Sequence, residues 1–501
     1  MRKIPSLMAT QHPDNAFRPY WHHEDYIATN YEPRECYLIF QDLRVKEYKW
    51  DWEGKFVDES LVEKLVGENF NFFSKNQIGK NLFLTIRLPN PDLNTEFRFG
   101  RLFMNIFSAS SLLKKLKLHT PAIFEIILPM TDNSEQMMEI QRAFREVCNL
   151  KHKLFDIDQN LINKIRIIPL FEHPEIIANS DKILNDYLET YKKEFSSKPP
   201  HLRPYVARSD PALNSGIVPT VLSIKIALSR YKKFEKKHNI KLYPIIGCAC
   251  LPFRGGFSPL TYKNFFKTYK GIKTVTMQSA FRYDYPSKQV IKAVKEIQNL
   301  TKTTQPDLID AKQEKRLIKI SKIFEKFYQE IIEQIAPTIN KVSNFVPSRR
   351  ERVQHIGLFG YSRGVRGIKL PRAIKFTAAL YSIGIVPEII GLGQGLKKIS
   401  QLGLTEELKK FYPTLKDEVG LALKYFNLEN AQSLAKKNPV YEKIIYDFWE
   451  AKKTLKINKI SRDKDQQKHL ENTTKVLKLL NNGQLTERLI DQTAKLRKSI
   501  G

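Results

Sequence analysis

The chain has 501 residues, 42% of them hydrophobic and 11% aromatic, which excludes a disordered protein and allows a large buried core. Lys and Arg number 83 against 53 Asp and Glu, a formal charge of +30, and such an excess fits a nucleic-acid partner, anionic substrates or a lysine-rich surface. Four cysteines are too few for a disulfide scaffold.

In chain order, the N-terminal stretch comes first. Pro5 and the polar Thr10-Gln11-His12 interrupt any signal-peptide core. No apolar run anywhere approaches membrane-spanning length. A cytoplasmic protein without a membrane partner is therefore expected. His12 lies in a turn outside any regular element, where a histidine can move protons or simply hold the turn.

Eight apolar runs follow, at 36–43, 82–88, 122–130, 165–172, 203–210, 242–250, 274–280 and 355–363. They are rich in Ile, Leu, Val and Phe without clean alternation, the pattern of strands buried on both faces of a parallel sheet, and most are separated by enough chain for a helical crossover. Eight such units predict a (β/α)8 barrel of the TIM type elaborated with additional helices. One domain spanning 1–501 is expected, with core strands over about 36–363. The interval 281–354 is too long for one crossover and contains helical stretches at 288–299 and 315–339, so it reads as a helical insertion ahead of the eighth strand. From about 372 to 501 the pattern is helical almost throughout, and these helices need the barrel to bury their apolar faces.

Lysines cluster on helical faces, as in Lys114-Lys115-Leu116-Lys117, and no zinc-finger spacing, RNA-recognition signature or basic tail is present. The charge therefore reads as a solvated surface rather than a nucleic-acid site. Cys248-Ala249-Cys250 has no second cysteine pair and no nearby histidine at ligand spacing, so it reads as buried thiols rather than a zinc site.

In a barrel the active site lies where the strands end. Arg87, Glu172, Asp210, Gln278 and Arg363 all sit at or near such ends. Glu172 and Asp210, two carboxylates on neighbouring strand ends, suit a hard cation such as Mg2+, although each would equally serve as a helix cap. Arg254 precedes Gly255-Gly256, and Arg363 and Arg366 lie in the glycine-flanked Gly360-Tyr361-Ser362-Arg363-Gly364-Val365-Arg366-Gly367. Arg372 opens a helix. Guanidinium forks fit phosphate and carboxylate oxygens in pairs, so several arginines beside a divalent cation point to a small, multiply anionic substrate.

Seven segments in order carry a family resemblance. They are Thr10-Gln11-His12-Pro13-Asp14-Asn15-Ala16, Trp50-Asp51-Trp52-Glu53-Gly54-Lys55, Glu125-Ile126-Ile127-Leu128-Pro129-Met130-Thr131, Ile168-Pro169-Leu170-Phe171-Glu172, Ala207-Arg208-Ser209-Asp210-Pro211-Ala212-Leu213-Asn214, Gln278-Ser279-Ala280-Phe281-Arg282-Tyr283-Asp284 and His355-Ile356-Gly357-Leu358-Phe359-Gly360-Tyr361-Ser362-Arg363. Through them the chain resembles the archaeal-type phosphoenolpyruvate carboxylases, the short form of that enzyme, over most of its length.

The resemblance implies a homotetrameric enzyme dependent on Mg2+ or Mn2+ that makes oxaloacetate and phosphate from phosphoenolpyruvate and bicarbonate. It further implies an anaplerotic role. On it, Glu172 and Asp210 resemble metal ligands, and Arg254 resembles the phosphate-side arginine of the long form. Arg87, Gln278, Arg363, Arg366 and Arg372 resemble substrate-binding residues, and His12 resembles the histidine of a His-Pro-Thr motif. Two positions depart from the long form. Pro252 stands where it has a histidine and Leu213 where it has a lysine, and Arg208 is the expected replacement cation. Another Mg2+-dependent phosphoenolpyruvate or oxo-acid lyase on the same barrel is the rival enzyme, and a basic nucleic-acid-binding protein the rival of another class.

Overall fold

Eight short parallel strands close on themselves: β1 (Leu7–Thr10), β2 (Glu47–Asp51), β3 (Phe83–Arg87), β4 (Ile123–Leu128), β5 (Arg166–Phe171), β6 (Tyr205–Ala207), β7 (Ile245–Gly247) and β8 (Thr274–Met277). The computed structural model describes residues 3–55, 57–92, 97–150, 157–158, 161, 165–352, 364–365 and 367–501. Each strand pairs with the next, and β1 pairs with β8 through Leu7 to Val275, Met8 to Thr276 and Ala9 to Met277. The expected elaborated (β/α)8 barrel is therefore present.

Its strands are not all the expected ones. The six runs between 82 and 280 are β3 to β8, but the run 36–43 falls mostly, through residue 41, in a helix, Glu32–Gln41. The buried positions of that helix, Glu32, Glu35, Cys36, Ile39 and Phe40, recur three and four residues apart, and a proline sits in its first turn. The run 355–363 lies outside the described residues. Closure is completed instead by β1 and β2 at the N-terminus. The helices Ser287–Thr303 and Ala311–Ser343 thus follow the last barrel strand rather than precede it.

Alternation along the strands sorts side chains into two environments. Leu7, Ala9, Tyr48, Trp50, Leu84, Ile86, Ile126, Leu128, Val206, Ile246, Val275 and Met277 point outward into the core shared with the surrounding helices. Met8, Ile127, Ile168, Leu170, Tyr205, Ala207 and Ile245 form a separate apolar plug inside the barrel. Near the strand starts lies a buried ionic layer. Arg203 donates to Glu47 Oε1 at 2.7 Å, to Glu47 Oε2 at 2.9 Å and to Glu125 Oε2 at 2.6 Å. This charged layer closes the N-terminal mouth, leaving the C-terminal mouth for chemistry.

The long helix Ala311–Ser343 begins with a capping box between Asp310 and Gln313 and packs against Ile217–His238, Ala373–Ser382 and Leu392–Gln401. The expected C-terminal helices are present from Thr405–Phe411 to Glu487–Arg497. Their far end returns to the barrel mouth, where Ile500 N–H donates to the Asp14 carbonyl at 2.8 Å. Among the described residues no single helix is long and apolar enough to cross a membrane.

Candidate active site

A cavity of about 630 Å3 opens at the C-terminal ends of the strands. His12 follows β1, Arg87 ends β3, Glu172 follows β5, Asp210 follows β6, Arg254 follows β7, Gln278 follows β8 and Arg372 caps the helix Ala373–Ser382. All seven line this one cavity. The strand ends, from His12 to Gln278, converge because a closed barrel brings all its C-terminal ends to one ring.

Arg254 sits on a one-turn 3-10 helix, Pro252–Arg254, followed by Gly255 at φ 114°. A side chain at Gly255 would also place its Cβ 2.8 Å from Cys248 Cβ, so both conformation and space demand glycine there. The guanidinium donates to Gln278 Oε1 at 2.7 Å and Ser209 Oγ at 3.1 Å, and also to the Gly501 carbonyl. Burial pushes its pKa down, and the charges of Asp14 and Asp210 oppose that shift.

Arg87 is gripped by Asp51 through two hydrogen bonds, Nε to Oδ1 at 3.0 Å and Nη2 to Oδ2 at 2.7 Å, and pairs with Glu53 at 2.6 Å. Burial works against its charge, but Asp51 and Glu53 outweigh it and raise its pKa. His12 Nδ1 lies 2.9 Å from Thr10 Oγ1. Burial, reinforced by Lys49 and Arg87, holds the His12 pKa well below the usual histidine value, so the ring is neutral near pH 7 and able to accept a proton.

The rest of the N-terminal motif is scaffold. Gln11 Oε1 accepts from Asp51 N at 2.8 Å, Asp14 Oδ1 accepts from Ala280 N at 2.9 Å, and Ala16 N donates to Asp284 Oδ2 at 2.8 Å. These bonds join the ends of β1, β2 and β8.

Glu172 and Asp210 share the cavity wall, and Met130 N donates to Glu172 Oε2 at 3.1 Å. Among the described residues no group of three or more His, Cys, Asp and Glu is arranged to hold a metal. Two carboxylates and no soft donor suit a hard cation that keeps most of its waters, so the residues present fit Mg2+ or Mn2+ and not a fully protein-caged ion.

A sequence model described as "Phosphoenolpyruvate carboxylase" matches residues 4–501. The chain belongs to the phosphoenolpyruvate carboxylase family. A phosphoenolpyruvate carboxylase from Oenococcus oeni is 34% identical over 507 residues, covering 100% of this chain and 99% of its own length. One from Caldivirga maquilingensis is 36% identical over 523 residues with 100% of both chains covered, and one from Pyrococcus horikoshii is 36% identical over 441 residues, covering 86% of this chain and 90% of its own. Membership of the phosphoenolpyruvate carboxylase family makes the chain an enzyme, a carboxy-lyase.

Within this phosphoenolpyruvate carboxylase cavity one expected residue is missing. Arg208, expected as a catalytic cation, does not line it. Its guanidinium is buried behind the Arg254 turn, donating to Tyr269 Oη at 2.8 Å and the Phe253 carbonyl at 2.9 Å. The Phe253 N–H donates in turn to Glu388 Oε1 at 2.7 Å. Arg208 therefore braces the turn rather than facing the substrate. Arg363 and Arg366 lie outside the described residues.

Other lining residues escaped the sequence. Lys49 in β2 and Arg350 and Arg352 after the long helix reach the cavity. Arg350 is held by Glu35, at 2.6 Å and 2.7 Å, and by Glu32 at 3.2 Å. The signal for Lys49 was present in Glu47-Tyr48-Lys49-Trp50-Asp51, where charged and aromatic residues alternate as in a strand with one charged face.

Proposed function

We propose that the chain condenses bicarbonate with phosphoenolpyruvate to give oxaloacetate and phosphate, by way of carboxyphosphate and the enolate of pyruvate. The observation that carries this reading is the convergence of Arg254, Arg87, Gln278, Glu172, Asp210 and His12 on one cavity at the strand ends. Several donor forks, two carboxylates and a neutral imidazole match a substrate with one phosphate and one carboxylate and a reaction that must move a proton.

Bicarbonate attacks the phosphoryl group, and Arg254, with Arg372 of the same cavity lining, neutralises the charge on the transferring oxygens. Gln278, fixed by Arg254, orients that guanidinium. Glu172 and Asp210 would hold Mg2+ or Mn2+; when bound, such a cation supplies concentrated positive charge for oxygens that become negative during the reaction. His12 takes the proton of carboxyphosphate, whose C–O bond to phosphate then breaks to release CO2 beside the enolate. The enolate carbon attacks that CO2. Water must be kept out meanwhile, because a proton reaching the enolate first yields pyruvate.

We read the enzyme as a cytoplasmic homotetramer that replenishes oxaloacetate, a reading supported by the family resemblance. The test of the reaction is a coupled assay of oxaloacetate formation with purified protein, phosphoenolpyruvate and Mg2+, with and without bicarbonate. Bicarbonate-dependent oxaloacetate is the expected result. Consumption of phosphoenolpyruvate without any bicarbonate requirement would overturn it in favour of another lyase.

A further inference from the structure

Lys49 occupies an unusual position. It lies in the middle of β2, paired with Thr10 of β1 and Thr85 of β3, on the strand face that carries Glu47 below it and Asp51 above it. Those two neighbours are engaged, Glu47 with Arg203 and Asp51 with Arg87. Lys49 is only 1% exposed and lines the cavity, yet among the described residues its ammonium makes no hydrogen bond or ion pair. The other buried cations of the wall are all held: Arg87 by Asp51 and Glu53, Arg254 by Gln278, Arg349 by Asp491 and Arg350 by Glu35. A buried cation without an anion is costly, and one that faces a cavity is most simply matched by an anion that the cavity binds.

We propose that Lys49 is the bicarbonate-binding residue of this enzyme, its ammonium holding the one-carbon anion next to His12; the proposal rests on the carboxylase reading above. Two features select bicarbonate over the phosphate or carboxylate of the other substrate. A single compact ammonium suits a small anion of one charge, whereas guanidinium forks such as Arg254 suit phosphate and carboxylate oxygens taken in pairs. The position also fits the chemistry. The β1–β2 register sets Lys49 beside Thr10, whose hydroxyl engages His12 Nδ1 and leaves Nε2 for a ligand. A bicarbonate on Lys49 therefore has its hydroxyl close to the imidazole that receives its proton.

The charged and titratable groups acting on the amine are Asp51 and Glu53 from its own strand end, Arg87 of β3, Arg352 after the long helix and His12 of the β1 end. Burial, with Arg87, lowers the Lys49 pKa to about 7, against the opposing pull of Asp51 and Glu53. Above neutrality the empty site therefore holds a neutral amine, and binding of the anion draws one proton from solvent onto it. The only bond made in this step is the N–H bond to that solvent proton; the bicarbonate itself binds intact.

The experiment is steady-state kinetics on the full-length enzyme with each substrate varied in turn, at several pH values, for wild type, Lys49→Met and Lys49→Arg. In wild type the KM for the bicarbonate ion should rise about tenfold per pH unit well above the amine's pKa, because the proton must be supplied on binding. Lys49→Arg keeps a permanent charge, so it should bind bicarbonate with that pH dependence flattened. Lys49→Met should raise the bicarbonate KM by about tenfold or more, the worth of a charged hydrogen bond, while leaving the phosphoenolpyruvate KM within about threefold. Its melting temperature should not fall, since a buried amine without a partner is being removed. If Lys49→Met does not fold, the pH profile of Lys49→Arg decides. An unchanged bicarbonate KM in Lys49→Met, a rise confined to phosphoenolpyruvate, or the wild-type pH dependence persisting in Lys49→Arg would each overturn the proposal. A wild type that forms no oxaloacetate at any bicarbonate concentration would instead overturn the carboxylase reading, and this inference with it.

Discussion

Arg254 and Gln278, 24 residues apart, meet on the rim of the barrel mouth with the guanidinium Nη2 donating to the amide oxygen at 2.7 Å. One follows β7 and the other follows β8, so the bond ties the glycine-rich turn to the last strand of the closed ring. With Ser209 on Nε at 3.1 Å, it leaves the guanidinium a single orientation.

That orientation is what Arg254→Lys should lose. Lysine retains the charge but cannot engage Ser209 and Gln278 together while presenting a fork to phosphate. Turnover should fall by about 100-fold, the usual cost of removing one donor aimed at developing charge, while the unfolding midpoint changes little. Unchanged turnover would place Arg254 outside phosphoryl transfer.

Asp210→Asn keeps shape and removes charge from one of two carboxylates assigned to the divalent cation. Loss of several kcal/mol of charge stabilisation corresponds to about 1000-fold or more in turnover. Folding, followed by circular dichroism, should be intact. Activity within a few-fold of wild type at saturating Mg2+ would show that Asp210 is not a ligand.

His12→Asn separates the two halves of the reaction. If the imidazole serves only carboxyphosphate breakdown, the variant should still consume phosphoenolpyruvate slowly with bicarbonate present, and its product should shift from oxaloacetate to pyruvate. Because burial, Lys49 and Arg87 hold the ring neutral, wild type should show no loss of activity attributable to His12 protonation near pH 6.5. Complete loss of phosphoenolpyruvate consumption in the variant would assign His12 to the first step or to the fold.

Glu35 gives a prediction about stability. Burial alone would raise its carboxyl, but Arg350 and Arg282 overcome burial and hold the pKa at about 2 against an ordinary 4.5. The folded-state value is depressed, so the stabilisation is present above about pH 4.5 and is lost as pH falls toward 2. The shift corresponds to about 3 kcal/mol. Urea unfolding should therefore find Glu35→Gln less stable than wild type by roughly that amount at pH 6, with the gap narrowing by about pH 3. An equal gap at both pH values would mean that the ion pairs are not its source.

Much of this protein was legible in the chain itself. Central strands of a parallel barrel are buried on both faces, so β3 to β8 announce themselves as apolar runs. Residues ending such runs, among them Arg87, Glu172, Asp210 and Gln278, are carried to the barrel mouth by geometry alone. What the sequence could not decide was which strands close the ring and where individual side chains point. The strand Glu47–Asp51 is charged on its inward face because that face runs from the Arg203 layer to the active site, and a charged strand does not look like an apolar run. The run 36–43 is apolar at helical spacing, and neighbouring Glu32 and Glu35 hold Arg350, a contact separated by more than 300 residues. Arg208 and Lys49 show the same limit. Both are basic residues of the barrel wall, Arg208 just after β6 and Lys49 within β2, yet the chain after β6 turns Arg208 behind the Arg254 turn, while the strict alternation within β2 turns Lys49 into the cavity. Side-chain direction at a strand end is set by packing between elements distant in sequence, and only the closed barrel brings those elements together.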